Sequence, residues 1–253
     1  RITAAAPLDP AEVETGLGGL IDAQSVLRWN DAAGRIEARR ERRLGAITLA
    51  STPDPSPDPA AVLALLVDKA VERLGELLPP ALIARAGFAG IDALALPALA
   101  ERAGDWLPAL LAGRRDLDLL PARYADAALG LLAWEERQRL DRLAPREYAS
   151  PAGTAHAIDY SGPDAPCVEV RVQALFGLDS HPMIGATPLL LKLTSPAGRP
   201  VQATRDLPGF WRGTWREVAR EMKGRYPKHR WPDQPWRETA SLRTKNAFQN
   251  GAR

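Results

Sequence analysis

The hydrophobic period changes partway along the chain, and that change limits the folds open to it. Between Pro59 and Pro145 apolar residues recur at helical spacing; after Ser150-Pro151-Ala152-Gly153 they recur at every second position. A helix buries residues three or four apart and a strand buries alternate ones, so one pattern cannot serve for both. Separate runs of each kind predict an α+β protein. It would combine a helical segment with a small antiparallel β unit and a C-terminal amphipathic helix.

In the helical stretch, Leu63, Val67, Ala70, Leu74 and Leu77 are spaced for one face, and Pro79-Pro80 stops that helix. Asp58 and Pro59 suit its N-cap and first turn. Shorter helices are expected over residues 91–103 and 105–112. A longer one is expected over 121–143, with Leu129, Leu132, Leu140 and Leu143 inward and Glu135–Arg139 as a supporting i,i+4 pair. Ahead of them, residues 52–59 hold four prolines in eight positions and read as an extended linker.

Before the linker, residues 1–22 form a lead-in segment with a short helix expected after Asp9-Pro10. Val26, Leu27 and Trp29, the turn formers Asn30-Asp31-Ala32-Ala33-Gly34, and the run from Arg35 to Arg40 then predict a strand–turn–strand unit. Ile47 and Leu49 predict a third strand. Beyond residue 153, the alternating sets are His156/Ile158/Tyr160, Val168/Val170/Val172, Leu189/Leu191/Leu193 and Val201/Ala203. Ser195-Pro196-Ala197-Gly198-Arg199-Pro200 supplies a hairpin loop. The expected divisions are 1–52 (lead-in and short strands), 53–59 (linker), 60–147 (helical), 148–227 (β unit plus amphipathic helix) and 228–253 (basic Pro/Trp tail).

Charge separates the end of the chain from the rest. Residues 1–204 carry 21 Lys+Arg against 26 Asp+Glu, whereas 205–253 carry 12 against 5, with four of the seven tryptophans. A basic, aromatic segment on an acidic body points to a polyanionic partner. Projected as one helix from Asp206, Leu207, Trp211, Trp215, Val218 and Met222 fall within about 80°. Arg212, Arg216, Arg220 and Lys223 form a second stripe, and Glu217 and Glu221 a third direction. Cations at i, i+4 and i+8 repel one another, by a few tenths of a kcal/mol per pair, unless an anion relieves them. A sugar–phosphate backbone would do so.

That stripe, continued by Arg225, Lys228 and Arg230, is the candidate nucleic-acid-binding surface. Trp211 and Trp215 belong to the apolar stripe and are assigned to the core. Trp231, outside the helix, is the candidate for base stacking. On the strand from Arg35, Arg39 and Arg43 alternate onto the face of Glu37 and Glu41 as an ion-pair ladder. Arg40 and Arg42 fall on the other face and are further candidates for nucleic-acid contact.

Catalytic signatures are missing from the sequence. It has no G-x-x-x-x-G-K-[ST] loop, no G-x-G-x-x-G and no G-x-S-x-G. His156, His181 and His229 lack the spacing of a zinc site. Asp179-Ser180-His181 holds triad-type residues, but sequence neighbours point apart and read as a polar loop. Glu135 and Glu136 read as a solvated face. One cysteine, Cys167, excludes an internal disulfide. No apolar run is long enough for a membrane span. With Arg1 rather than Met first and no signal peptide, the chain is expected to be an excised piece of a cytoplasmic protein, with no catalytic residues, metal or cofactor of its own.

Several runs resemble the C-terminal region of bacterial HrpB-type ATP-dependent helicases, relatives of the DEAH-box group. One extends from Ser195 to Gln202 and through Thr204-Arg205-Asp206-Leu207 to Phe210-Trp211. Another is Arg225-Tyr226-Pro227-Lys228-His229-x-Trp231-Pro232-Asp233. Shorter ones are Ala5-Ala6-Pro7-Leu8-Asp9, Arg42-Arg43-Leu44-Gly45-Ala46, Ile158-Asp159-Tyr160 and Leu175-Phe176-Gly177-Leu178. Departures are Arg230, where the family commonly has proline, and Thr244-Lys245-Asn246-Ala247-Phe248 in place of a short basic tail. The resemblance implies a parent RNA helicase whose RecA-like lobes, with ATP and Mg, lie upstream and act in cis with this region. It also implies an OB-like β unit; our own expectation is that strands from 25–50 pair with those from 154–204, residues 58–147 being an insertion. The expected function is then a non-catalytic accessory module that holds single-stranded nucleic acid, RNA or DNA, leaving the motor. The alternative is a protein-interaction or scaffolding module with its own protein partners.

Overall fold

The computed structural model describes residues 15–250; the helix expected after Asp9-Pro10 lies outside the described residues. Two compact units are present. One comprises the described residues up to Leu78 with Leu99–Leu131, and the other comprises Pro79–Ala98 with the described residues from Leu132. Between the first sheet and the second lie the α-helices α1 (Pro59–Glu72), α2 (Leu74–Leu77), α3 (Pro80–Phe88), α4 (Leu96–Glu101), α5 (Ala103–Leu111), α6 (Pro121–Leu129) and α7 (Trp134–Leu143).

In the first unit, β1 (Ile21–Asn30), β2 (Arg35–Leu44) and β3 (Ile47–Pro53) form an antiparallel sheet in that order. The expected turn is there: the Asn30 side-chain oxygen accepts the Ala33 N–H at 2.9 Å, and Gly34 takes a φ of 62°. Arg28 reaches Glu41 at 3.0 Å on this sheet. The proline-rich stretch is anchored at Asp54. Its N–H donates to Ala38 O at 2.9 Å. Its carboxylate accepts from Ser25 and from the Ser56 N–H, and those bonds hold it below the usual carboxylate range.

Asp58 caps α1 by accepting the Ala60 and Ala61 N–H groups. The residues α1 buries are Val62, Leu66 and Ala70, one position off the expected Leu63 and Val67, which are half-buried. The helix packs on both β1 and α5, so its apolar surface is wider than one stripe and its centre shifts. Trp106 and Tyr124 complete this core, their polar atoms donating to Leu99 O at 3.2 Å and Leu117 O at 2.9 Å. The Ile36 N–H donates to Arg115 O at 2.7 Å and ties β2 to the loop after α5.

Residues 121–143 do not form the single helix expected. The Gly130 N–H turns back onto Asp126 O and Ala127 O, and the Ala133 N–H is taken by the Glu136 carboxylate at 3.3 Å, which opens α7 as a new helix.

In the second unit, β4 (Glu147–Ala149), β5 (Ala155–Asp159), β6 (Cys167–Arg171), β9 (Leu190–Thr194) and β10 (Pro200–Thr204) form one sheet in the order β10-β9-β6-β5-β4. Its pairs are antiparallel except β6–β9, which is parallel. Residues 172–189 supply the crossover that a parallel pair requires; they include the small ribbon β7 (Met183–Ile184) and β8 (Thr187–Pro188). Ile158, Val168, Val170, Leu191 and Leu193 are buried, as their alternation predicts. Val172 and Leu189 are buried just beyond the strand ends.

No ladder joins the two sheets among the described residues, so the expected pairing of strands 25–50 with those of 154–204 does not occur. Short turns let β1, β2 and β3 satisfy one another locally instead. The segment 79–98 belongs with this second sheet. Arg85 donates to Ala144 O at 2.6 Å and to Asp141 at 2.5 Å, and Phe88 packs on Tyr160 with ring centroids 5.0 Å apart. The Tyr160 hydroxyl donates to Pro145 O at 2.7 Å, and burial pushes it up to about 12. Helix and sheet are segregated along the chain, and the fold is α+β.

Candidate nucleic-acid interface

The helix expected from Asp206 onward is two helices, α8 (Leu207–Arg212) and α9 (Trp215–Arg225). Gly213 breaks it with φ −98° and ψ −100°, and a Cβ there would sit 2.9 Å from Gly209 O. Trp211 and Trp215 still meet, edge to face at 5.2 Å, in a cluster with Phe176 and Phe210. Their indole N–H groups donate to Leu178 O at 2.9 Å and Pro232 O at 2.8 Å. Both rings are buried, as expected for core residues.

Break and burial together redistribute the candidate cations. Arg212, at the end of α8, pairs with Asp179 and lies 5.2 Å over the Trp236 ring. It is therefore separated from the stripe in which the single-helix projection placed it. Arg216, Arg220 and Lys223 remain together on α9, exposed, within about 60° of helix circumference. None of the three has an ion pair or side-chain hydrogen bond among the described residues. Arg225 is partnered by Glu221 at 3.0 Å.

Lys228 is exposed. Arg230 is a structural anchor: its side chain is 14% exposed, pairs with Glu238, donates to Thr239 O at 2.9 Å and covers the Phe248 ring at 3.8 Å. Trp231 is 7% exposed, donates to Tyr226 O at 3.0 Å and packs 6.1 Å from Trp215, so it is unavailable for base stacking. Its apolar body found the aromatic cluster instead. The tail beyond Trp236 is likewise docked, ending in α10 (Lys245–Asn250) with the Lys245 N–H on Lys228 O at 2.9 Å. Arg40 and Arg42 belong to the first unit; Arg40 faces Asp54 at 3.7 Å and Arg42 is half-buried.

Asp179 and His181 diverge as sequence neighbours should. Asp179 binds Arg212, while His181 bridges Leu189 O and the Leu207 N–H at 2.8 and 3.1 Å. Among the described residues no three His, Cys, Asp or Glu side chains are placed to hold a metal ion, and no helix is long and apolar enough to cross a membrane. One feature went unread in the sequence. The two longest runs quoted above meet in space, where Ser195 Oγ lies 3.3 Å from the Tyr226 hydroxyl. Neither residue follows a period that marks it, and only the shared resemblance singles out their segments.

Fold and surface define an α+β module that presents a cationic helix face on an aromatic core. Residues 106–235 match the family described as ATP-dependent helicase C-terminal, and residues 20–54 match the connector region of the ATP-dependent RNA helicase HrpB. The chain belongs to this HrpB C-terminal family. The ATP-dependent RNA helicase HrpB of Escherichia coli (strain K12) is 36% identical over 263 residues, an alignment taking in 97% of this chain and 32% of that protein. Crystal structures of E. coli HrpB agree. One, described as a DExH-box NTPase, has a TM-score of 0.67 at 32% identity and covers 94% of this chain and 31% of its own. The other, described as a DEAH/RHA helicase, has a TM-score of 0.59 at 33% identity and covers 84% and 29%. The chain thus spans about a third of the length of the relatives it matches.

Proposed function

We propose that this chain is the accessory region of an ATP-dependent RNA helicase and contacts single-stranded nucleic acid leaving the motor. The helicase core acts with it in cis, in the cytoplasm, and ATP and Mg belong to that core. The observation that carries the reading is the row Arg216, Arg220 and Lys223. Three exposed cations lie on one face of an 11-residue helix whose Trp215, Ala219 and Met222 are buried on an adjoining face. A rigid, unpaired cation row suits a phosphate backbone, which repeats its charge and releases counterions on contact.

The test is fluorescence anisotropy of the chain with labelled single-stranded RNA and DNA at two salt concentrations, beside the Arg216→Ala, Arg220→Ala, Lys223→Ala triple variant. Three lost contacts should flatten the log–log salt slope by about 2, at roughly 0.7 per single-strand phosphate contact. Binding that is absent at low salt, or unchanged in the folded variant, would overturn the reading in favour of a protein-interaction role.

A further inference from the structure

A cleft of about 170 Å³ opens between the β9–β10 turn and α9, walled by Val201, Val218 and Met222 and rimmed by Arg199, Arg225 and Tyr226. Ser195, only 1% exposed, holds it in shape. Its Oγ accepts the Arg199 N–H at 3.1 Å and lies 3.3 Å from the Tyr226 hydroxyl, while Ser195 O accepts the Gly198 N–H at 2.9 Å. Gly198 has a φ of 74°, the left-handed conformation that closes this turn. The backbone of Arg199 is therefore fixed, yet its exposed guanidinium has no ion pair or hydrogen bond among the described residues. Across the cleft, Arg225 is held by Glu221 at 3.0 Å. The lining thus holds two guanidiniums and a single carboxylate, that of Glu221, which pairs with Arg225 alone.

We propose that this cleft seats one phosphate group of a nucleotide chain, with Arg199 and Arg225 as its ligands. Arginine presents a planar fork of donors that matches phosphate oxygens, and two forks lining one cleft can hold one phosphate between them. The apolar walls take the sugar or base edge attached to it. The space is smaller than the roughly 300 Å³ at which small-molecule pockets begin, which suits a single unit of a chain. On α9 the cleft residues, Glu221 among them, lie on the far side from Arg216, Arg220 and Lys223, with Glu217 between. The cleft is thus a second contact, separate from the cation row. It rests on the reading that nucleic acid is the partner, and Glu221 regulates it by competing for Arg225.

The test follows arginine side-chain Nε–H resonances of the full chain during titration with uridine 5′-monophosphate and with single-stranded decameric RNA. Arg199 and Arg225 should move with both, at lower concentration for the RNA. Arg199→Ala should weaken the response of Arg225 about tenfold, and Glu221→Gln should strengthen it several-fold. Arg199 and Arg225 standing still while Arg216 and Arg220 move overturns the cleft and leaves the strand-contact reading intact. No arginine moving with either probe overturns both. Movement confined to Arg199 and Arg225 supports the cleft and sinks the cation row. Arg199→Lys separates a need for charge from a need for the fork, since only the fork predicts that lysine fails to restore binding.

Discussion

At the scale of single residues, His181 is fixed as one neutral tautomer. Its Nε2–H donates to Leu189 O at 2.8 Å, and its Nδ1 accepts the Leu207 N–H at 3.1 Å, at the start of α8. Burial holds it below the ordinary histidine value of 6.5, and burial with the Arg171 charge does the same to His229. Protonating His181 would set a new N–H against the N–H of Leu207, which explains the direction chemically. Because both folded-state values lie below the unfolded one, the unfolded chain takes up protons first. Stability is complete above about pH 6.5 and declines as pH falls below it. Thermal unfolding at pH 7.5 and pH 5, in the same salt, should show a lower midpoint at pH 5. The difference should shrink in a His181→Gln, His229→Gln double variant. A drop of the same size in that variant would show that neither histidine carries the effect; the Asp54 carboxylate, held below its ordinary value, loses its contribution only at more acidic pH.

Elements show how far sequence patterns reach. Strand alternation, the Asn30–Gly34 turn and the Asp58–Pro59 helix start were all legible, because each depends on residues a few positions apart. Which strands pair was not legible: β6 and β9 lie parallel through a crossover that no local pattern records. The site was legible to the same extent. Arg216, Arg220 and Lys223 fall where a helical projection puts them, but Arg212, Arg230 and Trp231 depend on distant partners in Asp179, Glu238 and the aromatic cluster. Gly213 tests the main misreading. In a continuous helix, Gly213→Ala would stabilise by about 1 kcal/mol through helix propensity. In the broken arrangement the new Cβ meets Gly209 O at 2.9 Å, and the expected outcome is a loss of about 1–3 kcal/mol. Urea titration of the variant decides by sign alone.

For the whole molecule, connectivity matters more than any single contact. Each compact unit is built from two stretches of chain, so neither is a continuous segment. The helicase C-terminal match begins at residue 106, inside the first unit, and therefore does not mark a folding boundary. Residues 79–98 lie outside that match, yet they cover Tyr160 with Phe88 and satisfy Ala144 O with Arg85, which is itself buried. Without them the second unit loses the half-buried Phe88 ring from Tyr160 and leaves the Ala144 carbonyl unpaired, the unsatisfied carbonyl alone costing about 1–3 kcal/mol. A chain of residues 132–253 alone is accordingly expected to unfold at a markedly lower temperature than the same unit in the full protein. A synthetic peptide of residues 79–98, added in trans, should raise that midpoint in proportion to its concentration, by mass action on the folded state alone. An Arg85→Ala, Phe88→Ala peptide should not. If the native peptide has no effect at concentrations well above that of the protein, residues 79–98 contribute nothing to the second unit that its other residues do not supply themselves.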